Sequence, residues 1–228
     1  PTAMARTPLR TTITGTAWNG TYSQLDALAY NVEGDGTTFG DMERARIVDI
    51  WHRVAEDLAP YDIDVTTERP AVFTPTTGTI LVTHSIDANG RVINCTGCGG
   101  VAYVNVFGRS NYHTYYSPAL VFYDKLGSGG ETYVAEASSH EFGHNLGLSH
   151  DGTTAGTTYY GGHGSGLVSW APLMGNSYNN NVTHCTFVAT LGISAVGVPP
   201  AGEIGVAPRA AADEVLVLDE ALDKLAAR

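Results

Sequence analysis

Residues 140–151 read His-Glu-Phe-Gly-His-Asn-Leu-Gly-Leu-Ser-His-Asp, which places three imidazoles, a carboxylate and a glycine at spacings suited to metal-assisted hydrolysis. At about 100° per residue, positions i and i+4 of a helix lie on one face about a turn apart, so His140 and His144 can reach a single ion. Glu141 projects from the neighbouring part of that helix, too far round to be a ligand but beside the ion, where a general base is needed. A third ligand cannot continue on the same helix. The chain must reverse, and Gly147 permits the positive φ that such a turn requires, delivering His150. Three neutral nitrogen donors leave a fourth tetrahedral position open, the arrangement of a catalytic zinc site and not of a closed structural one. The expectation is one Zn2+ held by His140, His144 and His150, with Glu141 taking a proton from the attacking water.

These side chains need elements to position them. A helical pattern runs from about Glu131 to Leu146 and ends at Gly147. A second helix is predicted over Asp41–Leu58, where Ile47, Ile50, Trp51, Val54 and Leu58 recur on one face; Thr38-Phe39-Gly40-Asp41 resembles a capping box and Pro60 follows the end. Strands are expected at 61–67, 79–83, 100–107 and 119–123, rich in β-branched and aromatic residues. The Gly-, Tyr-, Ser- and Asn-rich stretch 152–181 is a long loop of the kind that carries function. From about Ile193 the chain passes Pro199-Pro200 into a tail with a short helix expected over Asp213–Leu225, so the reading divides into residues 1–192 and a tail, 193–228.

Composition narrows the functional classes. Of 228 residues, 23 are acidic and 12 basic, for a formal net charge of −11, and Lys125 and Lys224 are the only lysines. Nucleic acid is therefore excluded as an expected partner. No run approaches the roughly 20 apolar residues of a membrane-spanning helix. The acidic balance is compatible with calcium, but no twelve-residue EF-hand loop supports it. Three cysteines allow one intrachain bridge, and Cys95-Thr96-Gly97-Cys98 is the natural pair, leaving Cys185; a redox pair or half a zinc knuckle are the alternatives, without a second Cys-x-x-Cys to favour them. His163 could line the cleft, although loop histidines are usually only solvated. His52, His84, His113 and His184 have no motif partners.

The stretch His140–Asp151 carries the long zinc signature of the metzincin clan and resembles its reprolysin (adamalysin-type) branch, whose helix also runs into His-Asp. Val54-Ala55-Glu56-Asp57-Leu58, Ile63-Asp64-Val65-Thr66-Thr67 and Gly99-Gly100-Val101-Ala102-Tyr103-Val104 match as well. From about Thr38 to Asn181 the chain is similar to bacterial reprolysin-like secreted peptidases. The resemblance implies a zincin-like α/β (α+β) fold, with a twisted mixed sheet, two long helices and the active-site helix carrying the signature. It assigns supporting roles to Gly147 and Asp151, and a methionine turn beneath the metal to Met174, the only methionine downstream of the signature. It also implies that a protein or peptide substrate adds as a strand along an edge at about Gly100 to Val106, with Gly100, Val101, Ala102 and Tyr103 foremost. Asn176 stands where some metzincins have a tyrosine, and no ligand role is carried over to Tyr178. The implied activity is zinc-dependent endopeptidase cleavage outside the cell. The rival is a zinc-binding module that does not catalyse, or one whose tail covers the cleft. Oligomeric state and side-chain specificity have no sequence signal.

Overall fold

A computed structural model of the chain describes residues 9–34, 38–61, 63–184 and 215–218. In chain order its main elements are β1 (Arg10–Ile13), β2 (Leu25–Leu28), α1 (Asp41–Leu58), β3 (Asp64–Thr66), β4 (Thr77–Thr83), β5 (Gly100–Val101), β6 (Ala119–Phe122), α2 (Glu131–Asn145), β7 (Trp170–Pro172), β8 (Val182–His184) and β9 (Val215–Leu218). The fold is mixed α/β, and a five-stranded sheet in the order β3-β9-β4-β6-β5 forms its centre. The first four of these strands are parallel neighbours, and β5 closes one edge antiparallel to β6.

The central strands are apolar on both faces, as parallel strands covered on both sides must be. Ile80 and Val82 of β4 and Ala119 and Val121 of β6 point toward α1 and α2, where they meet Ile50, Val54, Leu58, Val134, Ala137 and Phe142. The alternate positions Leu81, Leu120 and Phe122 face the β1–β2 hairpin and pack with Ile13, Trp18, Leu25 and Ile93. Each fully buried aliphatic or Phe side chain contributes about 1.5–3 kcal/mol of transfer free energy. The first of these layers holds α2 against the sheet, and the second seats the hairpin on the opposite face.

Helix α1 matches its amphipathic pattern. Its N-terminus is tied by Glu43, fully buried, which accepts from Gly40 N at 2.8 Å and from Val32 N and Glu33 N at 2.9 and 3.1 Å. The turn at Gly40 is therefore closed by Glu43, three residues on. Helix α2 is buried on most of its faces, which its small residues Ala135, Ala137, Ser138 and Ser139 permit.

Several expected elements differ. The strand expected over 100–107 is paired only at Gly100 and Val101. Beyond it, Asn105 N donates to His144 O, while Val106 N and Phe107 N donate to Asn145 O, so the backbone leaves the sheet to close the end of α2. The hairpin strand β2 was not foreseen, and neither was β9. At Val215–Leu218 a strand replaces the helix expected over Asp213–Leu225, because a Val-Leu-Val-Leu run suits a central parallel strand hydrogen-bonded on both sides. The rest of the 193–228 segment, and Cys185, lie outside the described residues. Cys95 and Cys98 are joined by a disulfide. Among the described residues no helix is long and apolar enough to cross a membrane.

Candidate active site

Helix α2 ends in a turn that orders the site. Leu148 N donates to Gly143 O and Gly147 N to His144 O, both at 2.9 Å, with Gly147 at φ 101°. This is the double closure of a Schellman turn, and only glycine takes that φ without strain. The reversed chain also places Leu148 O 2.8 Å from His144 Nδ1. His140 Nδ1 lies 2.8 Å from Leu173 O. A carbonyl only accepts, so both Nδ1 atoms carry the proton and both Nε2 atoms present lone pairs.

Those lone pairs converge with that of the third histidine. One ligand atom from each of His140, His144 and His150 lies within 4.8 Å of the others, and His144 Nε2 and His150 Nε2 are 3.0 Å apart. Two nitrogens bound at about 2.0–2.1 Å to a tetrahedral ion stand about 3.3 Å apart, close to the His144–His150 spacing, so the three atoms are grouped as one zinc ion needs. Burial holds all three imidazoles below their ordinary pKa, His140 down to about 4, and the protonated histidines would also repel one another. Neutral imidazoles are the form that binds metal.

The segment after the loop supports the cluster from beneath. Gly175 N donates to Pro172 O at 2.9 Å, forming a tight turn whose Leu173 carbonyl takes the His140 proton. Buried Met174 lies against Gly143, where an added Cβ would come 2.6 Å from its Sδ. Met174 O accepts from Asp151 N at 2.8 Å. Asp151 Oδ2 is buried without a hydrogen-bond partner, and burial raises the pKa of that carboxyl.

Glu141 is almost enclosed, and burial pushes its carboxyl up to about 8. Gly100, at the start of β5, lies directly against it, and Val101 pairs with Leu120. Ala102 and Tyr103 lie beyond the paired strand, with the Tyr103 ring 4.5 Å from Trp18. His163 stands apart from the three-histidine group, bonded through Nδ1 to the Tyr160 hydroxyl at 3.0 Å and packed on Trp170.

Three site residues had no motif to announce them. Asn145, fully buried, donates to Tyr103 O at 2.9 Å and accepts from the Tyr112 hydroxyl at 2.7 Å, tying the edge segment to α2. Tyr159 packs its ring 4.3 Å from His150. Tyr178 is held up to about 12 by burial and by the nearby charges of Glu141 and Glu136. Only Asn145 lies inside the signature, at a position the motif leaves open.

A family model described as metallo-peptidase family M12B, reprolysin-like, matches residues 51–151, from the middle of α1 through the third histidine and its aspartate. Over this segment the chain is similar to reprolysin-like metzincins. The reprolysin-like match takes in α2, β5 and all three histidines, so the metal-binding geometry and the family likeness rest on the same stretch of chain. No curated protein sequence and no solved structure matches the chain.

Proposed function

We propose that the chain is a zinc-dependent endopeptidase in which Glu141 is the general base. The observation that carries this reading is the three-histidine group on and just after α2, with the carboxylate of Glu141 one position from its first member. Zinc bound there supplies Lewis-acid activation of water and of the scissile carbonyl. Glu141 takes the proton of the attacking water and returns it to the departing amine. Burial raises its proton affinity, and a cation held by the neighbouring histidines would favour the ionised form that accepts the proton. Asp151 and the turn carrying Met174 hold the histidines, the part a methionine turn plays. The outer edge of β5, unpaired among the described residues, offers backbone groups to an extended peptide, which Gly100–Tyr103 would align along the cleft.

The rival in which the tail covers that edge finds no support from Val215–Leu218, because β4 and β6 separate β9 from β5. Action outside the cytoplasm belongs to the same reading, supported by the Cys95–Cys98 disulfide, since such bonds persist in oxidising compartments. The test is hydrolysis of a generic protein by the zinc-loaded chain beside Glu141→Ala, with zinc quantified in both. The reading requires cleavage by the first, and a variant that keeps zinc but loses activity by orders of magnitude. Zinc in both with cleavage by neither would hand the case to a binding module.

A further inference from the structure

No described residue donates a hydrogen bond to the Glu141 carboxylate, which is only 7% exposed, so its place is set by the walls around it. One wall is the backbone of Gly100. A Cβ there would stand 2.6 Å from Glu141 Oε1, 2.7 Å from its Cγ and 2.9 Å from its Cδ. Turning the carboxylate about its last bond moves only the oxygens. Clearing Cγ requires a change at χ1, which a helix restricts to two wells.

Neither wall gives way easily. Gly100 pairs with Val121 of β6, and Phe122 N donates to Gly99 O at 2.8 Å. Glu141 sits on a helix whose flanking histidines are tied to Leu173 O and Leu148 O. Nor does backbone conformation explain a glycine at 100. Unlike Gly147, it has no positive φ, so an alanine would fit the main chain and fail only for want of space.

We propose that Gly100 is a positioning residue for the general base: the missing side chain at the first residue of β5 is what admits the Glu141 carboxylate to its place beside the three histidines. The inference rests on the reading of Glu141 as that base. It makes the substrate edge and the base one unit, since a peptide paired along β5 is registered against the same backbone that confines Glu141.

The test uses the full chain with Gly100→Ala, Glu141→Ala, the double variant, and Gly97→Ala as a control whose Cβ meets open space. Zinc-loaded Gly100→Ala is expected to bind zinc as wild type does. Its kcat should fall by about 100-fold, the cost of roughly 1 Å of misplacement, with KM nearly unchanged. Gly97→Ala should match wild type in both. The activity-independent readout is the thermal midpoint of the metal-free proteins. Gly100→Ala should lower it in the wild-type background and leave it unmoved in the Glu141→Ala background, where the three atoms nearest the added Cβ are gone. An equal loss in both backgrounds, or a wild-type kcat for Gly100→Ala, overturns the inference. If wild type cleaves nothing but the midpoints show this coupling, the proposed function falls while the spatial dependence of Glu141 on Gly100 stands.

Discussion

Two regions of the molecule enclose carboxylates and treat them in opposite ways. Around the loop after β4, Asp26, Asp87 and Asp124 are all held below the ordinary range. On the two helices, Asp57, Glu136 and Glu141 are all held above it. Burial acts on both groups. In the loop it is overridden by donors: the Asp87 side chain is fully enclosed but takes the Arg91 guanidinium and the backbone N–H groups of Asp26, Asn89 and Arg91. Gln24 and Asn89 serve Asp26, and Ser85 serves Asp124 through both its N–H and its hydroxyl. Asp57, Glu136 and Glu141 have hydroxyl donors at most among the described residues, and burial prevails. A carboxylate satisfied by donors shapes the chain, whereas one left without them lowers stability and is retained for another reason.

The largest expected effect separates the two groups by activity. Glu141→Gln should reduce turnover of the zinc-loaded enzyme by about 10²–10⁴-fold, the range of a lost general base. Asp87→Asn should leave turnover per folded molecule near wild type. Steady-state assays with active-site titration decide it, and equal losses in both variants would erase the functional side of the contrast.

Stability should show the reverse order. Asp87→Ala removes the acceptor of three backbone N–H groups and a guanidinium, and should cost about 2–4 kcal/mol in denaturant unfolding. Glu141→Gln, which removes a buried group without donors, should cost far less. A larger loss for Glu141→Gln would mean that the enclosed helix carboxylate is the structural one.

The pH dependence of the loop follows from the same donors. The folded-state pKa of Asp87 is depressed, so its contribution is present above the unfolded value of about 3.9 and is lost as pH falls through that value toward the lower folded one. Asp26 and Asp124 share the sign. Wild type should therefore lose stability steadily below about pH 4. Asp87→Asn should start lower and decline less, which unfolding curves at pH 2.5 to 5 would show.

How much of this was legible beforehand depended on sequence distance. Helix α1 announced itself through local periodicity, and the three histidines through a spacing that only a helix followed by a glycine reversal converts into one cluster. The partners that fix the imidazoles were hidden, because Leu173 O reaches His140 from 33 residues away by backbone. Backbone carbonyls leave no signature in side-chain types. Strand β9 was misread as helix because a four-residue apolar run has no period to settle its type, and its neighbours in the sheet are distant in the chain. Gly100 read as an edge-strand residue. That it makes room for Glu141 depends on how the sheet packs against α2, which no local pattern encodes.

The smallest effect is the most discriminating, since it concerns a carboxylate that shares features of both regions. Glu136 accepts from Ser177 Oγ at 2.6 Å and from Thr183 Oγ1 at 3.1 Å, yet burial keeps its pKa raised. A raised folded-state value means that its contribution is fully present below the unfolded pKa of about 4.3 and is lost as pH climbs through the folded one. Glu136→Gln keeps an acceptor for the hydroxyls and removes the charge. The variant should match wild type near pH 4 and gain on it toward pH 8, by less than about 1 kcal/mol once solvent screening is allowed for. A variant that loses ground as pH rises would show the two hydroxyls outweighing burial. Glu136 would then belong with Asp87, and the number of donors alone would no longer separate the two regions.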